Sequence, residues 1–444
     1  MSIPAPREVP LAHIARGVRL PSVATALTVA LALLFQWILA RVYADLIVEY
    51  FNGSRTVHAG GVEVPVSYFI TAITSIACAR YCERHSGPSR VLLMLHLIAV
   101  VIPLQALVVA QFEYARPEFS DAVALSFMAA LMLAGNTPEL SVPQPGPIAR
   151  IVLVFFLVLL SAYVYGALIV AGGLGRLSFD LAKVYDVRDE FIEGLAPLEG
   201  YFVPWQGLVL NPALMLAALK RRSLLLGAVA LGLQTLLFGM TGFRAFLLMP
   251  GLLLGMYAIG ARRQLTALGL AGMLLLVGLA LLLYVWLDIP QIPALLVDRV
   301  IIIPAEIHFW YYDFFGVHGN APLQLSQSVF SLITTTHYQA PIAEVIGWKY
   351  MGVTAWANVG LFADAFANFG FAGCAVFAAL FALVLKTLDA ASRATDARVA
   401  AALIAVQAFQ LVNGGLLTTL LTHGLGIAIL ILWAFPMPRE RVAK

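Results

Sequence analysis

Charged residues are scarce in this 444-residue chain: Lys, Arg, Asp and Glu make up only 11% of it, whereas hydrophobic residues make up 61%. Soluble domains usually carry about 25% charged residues, so this composition excludes an ordinary soluble protein. Spanning segments must satisfy their own backbone hydrogen bonds, which helices do locally. A β-barrel would instead show short alternating segments. The chain is therefore predicted to be an all-α polytopic membrane protein, with one integral membrane domain over residues 1–444.

Cysteine is also scarce, with only Cys78, Cys82 and Cys374. The first two have helical spacing at a predicted cytoplasmic helix end, a reducing location that does not favour a disulfide. No further Cys or His completes a metal site beside them. We therefore expect no disulfide framework, no metal and no cofactor.

Apolar runs of the length that crosses a bilayer predict about twelve transmembrane helices. They lie near residues 21–40, 65–79, 91–111, 121–135, 151–171, 200–219, 223–240, 245–260, 265–287, 365–385, 399–416 and 420–435. Two longer connections remain, residues 172–199 and 288–350, and both fall on the same predicted side.

The basic residues are distributed unevenly between the two sides. With the N-terminus inside, eighteen of the 27 Lys and Arg residues and only six of the 24 acidic residues face the predicted cytoplasm. Lys and Arg accumulate in cytoplasmic loops of membrane proteins. We therefore predict that both termini are cytoplasmic, with a basic N-terminal segment containing Arg7, Arg16 and Arg19 on the membrane surface. The two long connections would then lie on the outside.

Asp, Glu, Lys and Arg are missing from the middle of all twelve predicted spans. Ion-coupled transporters usually place such groups near the midplane, so their absence disfavours coupled transport but leaves an uncoupled carrier open. Gln206, Asn211 and His96 lie within spans, and hydrogen bonds between packed helices are their simplest role.

The connection 288–350 collects polar and aromatic residues and is expected to form the lid of an outward-facing cleft. Its segment RVIIIPAEIHFWYYDFFGVHGN has the pattern of a helix in the membrane interface. Glu306, His308 and Asp313 are candidates for a general base, because deprotonating a sugar hydroxyl needs a carboxylate or imidazole. His337 is a second candidate. Tyr312, with Trp310, could stack on sugar faces, although an aromatic belt is favoured.

Three arginines on the predicted outside are candidates for binding an anion. Arg188 lies beside Asp189, Arg299 follows Asp298, and Arg244 lies in a tight turn between two spans. A guanidinium keeps its charge and presents a planar fork to phosphate or carboxylate. The alternatives are ordinary ion pairs or snorkelling side chains.

A further polar group precedes the predicted span 365–385. Asn358, Asp364 and Asn368 lead into it through small residues, and the last two share one helix face. These side chains could point into an outward-facing cleft, or the small residues could simply allow close helix packing.

The segments TGFRAFLLMP, YDVRDEFIEGL and DRVIIIP, together with WANVGLFADAFANFGFAG, resemble bacterial oligosaccharide repeat-unit polymerases of the Wzy type. The resemblance covers roughly residues 150–390. It implies a GT-C-like helical fold and an inverting glycosyl transfer, with outside-loop arginines, here Arg188, Arg244 and Arg299, binding the lipid pyrophosphate. One departure is that eleven residues separate Arg188 from Gly200, so the Arg-x10-Gly pattern of some members is absent.

The resemblance also implies a location and partners. Such a polymerase works at the periplasmic face of the bacterial inner membrane on undecaprenyl-pyrophosphate-linked oligosaccharide, alongside a chain-length regulator and a flippase. No nucleic-acid partner is expected. An O-antigen ligase with the same donor, a lipid-linked glycan flippase or exporter, and a structural membrane subunit remain alternatives.

Overall fold

The computed structural model describes residues 22–50, 63–180, 183–328, 330–331, 333–353 and 355–438, and within them the chain forms helices and no β-strand. The predicted N-terminal basic segment and both chain termini lie outside the described residues. The helices are α1 (Val23–Tyr50), α2 (Glu63–Arg84), α3 (Ser89–Ala110), α4 (Pro117–Asn136), α5 (Pro147–Val170), α6 (Val184–Glu193), α7 (Glu199–Arg221), α8 (Leu224–Thr241), α9 (Arg244–Ile259), α10 (Leu265–Leu287), α11 (residues 291–317), α12 (Ile342–Met351), α13 (Leu361–Ser392), α14 (Ala397–Asn413), α15 (Leu416–Leu421) and α16 (Leu425–Ala434).

Eight of these helices are long and apolar enough to cross a membrane: α1, α3, α4, α5, α7, α8, α10 and α13. All twelve predicted spans coincide with helices, but the others are shorter or less apolar. The helical membrane class is therefore confirmed at the level of eight candidate spans within the described residues.

The degree of burial separates a central helix from peripheral ones. In α3, 94% of the most apolar window is buried, against 17% in α5 and in α10. The three windows are equally apolar, so the difference in burial reflects which helices surround each one and not their composition. The exposed apolar faces of α5 and α10 are those expected to contact lipid.

The connection 288–350 contains a helix, as predicted, but the second half of α11 is buried by other helices instead of presenting one face to the surface. Nine of the ten residues in its segment Ile303–Tyr312 are buried. Phe309 and Tyr312 pack on Phe119 of α4, with ring centroids 6.0 and 4.9 Å apart. Trp310 and Tyr311 are 6% and 2% exposed, so they belong to the core and form no aromatic belt.

Consequently the bundle interior does hold ionisable side chains. Glu306 and His308 are at most 1% exposed, and His308 Nδ1 lies 2.6 Å from the carbonyl oxygen of Pro304. These residues lie outside the twelve predicted spans, in a segment whose four charged residues made its sequence look like a surface connection.

Side-chain contacts join the predicted cytoplasmic connections at one end of the bundle, here called the basic end. Arg90 donates to the carbonyl oxygens of Gly260 and Arg262, and Ser89 donates to Asp389. Arg393 pairs with Glu139 at 2.7 Å. The same helices bring the other set of connections together at the opposite end.

Candidate substrate-binding cavity and arginine pair

A polar cavity of about 340 Å³ opens at the opposite end, where α13 begins and α14 ends. The chain segments around 323–343 and 355–360 complete its wall. Six amide or carboxyl side chains from these elements line it: Gln327, Asn358, Asp364, Asn368, Gln410 and Asn413. Amide and carboxylate groups at this density suit a ligand with many hydroxyl groups, because each can donate or accept a hydrogen bond.

Asp364 supplies the carboxyl group of this cavity from the first turns of α13. It lies against Gly415 in the turn between α14 and α15, where an added Cβ would come within 2.6 Å of Asp364 Cγ. Only glycine fits at position 415 without displacing the carboxyl group. Two separate helix ends therefore fix the position of Asp364.

Asn368 connects the start of α13 to the segment around Leu325, which also lines the cavity. Its Oδ1 accepts a hydrogen bond from Leu325 N at 2.7 Å, while its Nδ2 donates to Asp364 O at 2.8 Å. The next two residues leave helical geometry, with Gly370 at φ 63° and ψ −153°. The kink thus follows directly after the residues that line the cavity.

The α14–α16 side of the cavity carries Gln410, Asn413 and His423. Nδ1 of His423 is buried and has no hydrogen-bond partner among the described residues. Burial lowers the pKa of His423 to about 4. Its ring is therefore neutral at neutral pH and can accept a hydrogen bond from a ligand hydroxyl.

Two arginines meet on one tyrosine ring at the same end of the bundle. The guanidinium carbons of Arg188 and Arg244 lie 4.9 and 4.6 Å from the ring centroid of Tyr185. Arg244 Nη1 also donates to the Tyr185 hydroxyl oxygen at 3.3 Å. Stacking on an aromatic face orients a guanidinium and leaves its edge donors available. We call these two residues the arginine pair.

The turn between α8 and α9 brings the two arginines together. Gly242 has φ 67°, and an added Cβ would lie 2.5 Å from Val184 O and 3.0 Å from Arg188 N. Its missing side chain lets α6 pack directly on the turn that precedes Arg244. Arg188 Nε is buried without a hydrogen-bond partner among the described residues, and its nearest recorded carboxylate oxygen, on Asp189, is 3.8 Å away.

Aromatic contacts connect the arginine pair to the cavity. Phe191 of α6 packs edge-on against Phe243, which packs on Phe246. Phe246 covers Gly207 of α7, and Trp205 of the same helix donates to the carbonyl oxygen of Leu421, two residues before His423. A continuous path of packed residues therefore runs from the arginine pair to the cavity.

The remaining predicted site residues lie elsewhere. Arg299 is exposed on α11 and has no recorded contact with the arginine pair, and His337 is exposed in the segment after Gly319.

Asp313 accepts from the Tyr350 hydroxyl at 2.6 Å and lies 3.2 Å from His318. Tyr312 donates to Glu118 at 3.2 Å. None of the candidate bases Glu306, His308 and Asp313 lines the cavity, so their catalytic role stays a prediction.

Sequence reasoning missed Tyr185, His423, Gln410 and Asn413. Tyr185 precedes Arg188 by three residues, a spacing that places both on one helix face, so the sequence did contain its signal. Gln410 and Asn413 share a face in the same way, but their position at a helix end in the cavity follows only from packing.

Comparison of the chain with protein families, with curated proteins and with solved structures gave no match.

Proposed function

We propose that this protein is a membrane glycosyltransferase that polymerises undecaprenyl-pyrophosphate-linked oligosaccharide repeat units. It would act at the periplasmic face of the bacterial inner membrane, with about twelve helices in a GT-C-like arrangement and both termini in the cytoplasm. The observation that carries the proposal is the position of the arginine pair and the amide-rich cavity at one end of the bundle, opposite the basic end.

The charge distribution supports this orientation. Arg84, Arg90, Arg262 and Arg393 belong to the basic end, and a concentration of arginine is typical of cytoplasmic connections. The cavity then opens to the periplasm, where lipid-linked repeat units are assembled into longer glycans in the family that the sequence resembles.

The arginine pair is suited to a pyrophosphate. Two guanidiniums on one tyrosine ring offer several N–H donors in fixed directions, and charge-assisted bonds of this kind are stronger than neutral ones. Arg188 and Arg244 would bind the diphosphate of the donor and stabilise the negative charge that develops on it as the sugar leaves.

Asp364 is the best-placed general base, because it is the carboxyl group of the cavity. In the proposed step, an acceptor sugar hydroxyl gives its proton to Asp364 while its oxygen attacks the anomeric carbon of the donor. The bond between that carbon and the pyrophosphate oxygen breaks, and its electron pair leaves with undecaprenyl pyrophosphate. Attack opposite to the leaving group inverts the anomeric configuration.

A second candidate function is transbilayer movement of a lipid-linked glycan. The observation that favours it is α11, which places Glu306 and His308 inside the bundle, since buried ionisable groups are common along substrate or ion pathways. An O-antigen ligase, which uses the same donor with a lipid A core acceptor, is equally compatible with the cavity and the arginine pair.

Purified protein in proteoliposomes, supplied with a lipid-linked repeat unit, separates these functions. Polymerase activity gives products longer than one repeat unit. Transfer only to added lipid A core indicates a ligase, and movement of labelled lipid across the bilayer without a new glycosidic bond rejects both transferase proposals.

A further inference from the structure

A groove with an apolar wall runs between α2 and α4 towards the basic end. It encloses about 380 Å³, and its deeper part is lined by Ile73, Ile76, Met128 and Met132. Phe69 and Leu125, on the same two helices, are 64% and 70% exposed. The groove therefore opens from a surface that is apolar enough to face lipid chains.

The end of this groove is positively charged. Arg80, Arg84 and His85 line it together with Tyr81, whose ring stacks on His85 at 4.0 Å. Neither Arg80 nor Arg84 has a carboxylate within ion-pair distance among the described residues.

A second cavity of about 340 Å³ continues the groove across the basic end. It shares Arg84 and His85 with the groove and adds Lys386 and Arg393. Its two acids already have partners: Glu139 pairs with Arg393 at 2.7 Å, and Asp389 accepts from Ser89 N and Oγ at 3.0 and 2.7 Å. Positive charge from Arg80, Arg84 and Lys386 therefore remains available to an anion.

We infer that this groove binds an anionic phospholipid, with one acyl chain between α2 and α4 and the headgroup phosphate on Arg80 and Arg84. A soluble phosphate would need only the basic end and would leave the apolar wall uncovered. A zwitterionic lipid would fill the apolar wall but match the charge less well. Basic pockets between helices on the cytoplasmic side are a known form of anionic headgroup site.

Native mass spectrometry of the full chain in detergent, titrated with phosphatidylglycerol or with phosphatidylcholine of the same acyl chains, tests this site. The wild-type protein is expected to bind phosphatidylglycerol more tightly. The double variant Arg80→Gln/Arg84→Gln should weaken that binding by about tenfold or more.

The matched control is Arg262→Gln/Arg263→Gln, an exposed pair at the basic end that removes the same charge. It should leave the binding of phosphatidylglycerol unchanged. A separate variant, Met128→Trp, narrows the apolar groove without altering charge and should also weaken phosphatidylglycerol binding. This second variant keeps the test valid if the double arginine variant fails to fold.

Three results overturn the inference. Equal binding of the two lipids shows that headgroup charge is not recognised. Equal loss in the double variant and its control indicates a diffuse surface attraction. Displacement by inorganic phosphate, together with unchanged binding in Met128→Trp, identifies a soluble phosphate site instead.

Discussion

Asp364 and Gly415 lie in contact across the cavity wall, although 51 positions separate them in the sequence. A methyl group at position 415 would force the Asp364 carboxyl group to move. We expect Gly415→Ala to lower the rate of glycan transfer, because a base must stay within hydrogen-bond reach of the acceptor hydroxyl. The measurement is chain growth in proteoliposomes. Gly272→Ala is the control, since nothing lies within 4 Å of a Cβ at position 272; equal activity in the two variants would contradict the prediction.

Replacing Asp364 itself tests its role as the base. Asp364→Asn keeps the shape of the side chain but removes the proton acceptor, so transfer should fall by about 100-fold or more. Donor binding should change little, because the arginine pair remains. Glu306→Gln provides the comparison, as Glu306 was one of the three candidate bases, with His308 and Asp313, that the sequence suggested. Glu306 would be the base instead if Asp364→Asn kept full activity while Glu306→Gln stayed thermally stable but lost transfer.

The arginine pair should act through the donor pyrophosphate. Arg188→Ala and Arg244→Ala are each expected to reduce transfer efficiency by about 10-fold to 100-fold, because hydrogen bonds to charged groups contribute roughly 1.5–3 kcal/mol. Tyr185→Leu should have a related effect, since it removes the ring that orients both guanidiniums. The readout is kcat/KM against donor concentration.

Arg299 and Arg41 serve as controls for that series. Arg41 forms an exposed ion pair with Asp45 at 2.7 Å, and such pairs contribute little. Arg41→Ala and Arg299→Ala should leave the donor dependence near the wild-type value. A loss in Arg299→Ala equal to that in Arg244→Ala would show that all three arginines contact the donor.

The kink in α13 makes a prediction about stability. Gly370 occupies φ 63° and ψ −153°, a conformation that only glycine adopts readily. Gly370→Ala should cost about 1–3 kcal/mol and lower the thermal unfolding temperature in detergent. Gly278→Ala is the control, because its added Cβ meets nothing within 4 Å. Equal unfolding temperatures for the two variants would show that the kink is not strained.

His423 should make stability depend on pH. Its pKa is about 4 in the folded protein, against about 6.5 for an unperturbed histidine. The unfolded chain therefore binds more protons between these values, and stability should be complete above about pH 6.5 and decline towards pH 4. Thermal unfolding across this range measures the decline, and His423→Gln should make it shallower. An identical pH profile in the variant would exclude His423 as a contributor.

The helical class and the positions of twelve apolar segments could be predicted, because hydropathy over about 20 residues reports on the backbone requirements of a spanning helix. Arg188 and Arg244 could each be predicted as anion-binding candidates, but their meeting on Tyr185 follows only from the packing of α6 on the turn that contains Gly242. The location of α11 could not be predicted. Asp298, Glu306 and Asp313 lower its hydropathy, and only the packing of other helices places these residues in the interior, with α1 and α10 beside its first half and α3 and α13 beside its second.

The residues that line the cavity could also be predicted only in part from the sequence. Asn358 precedes α13 and Asp364 lies in its first turn, and both were recognisable as a polar group, whereas His423 reaches the cavity through the fold of α15 and α16. Contacts between residues that are distant in the chain depend on helix packing, which the periodicity of a single segment does not contain.

The interior position of α11 has a consequence for how the protein is made. A segment with three acids and an arginine is expensive to transfer into lipid on its own, so the insertion machinery would not retain it efficiently as a single helix. Its stable partner α13 is synthesised afterwards. Packing of α11 into the protein interior should therefore be completed only after the later helices emerge from the ribosome, and truncation before Leu361 should leave residues 303–312 accessible to solvent.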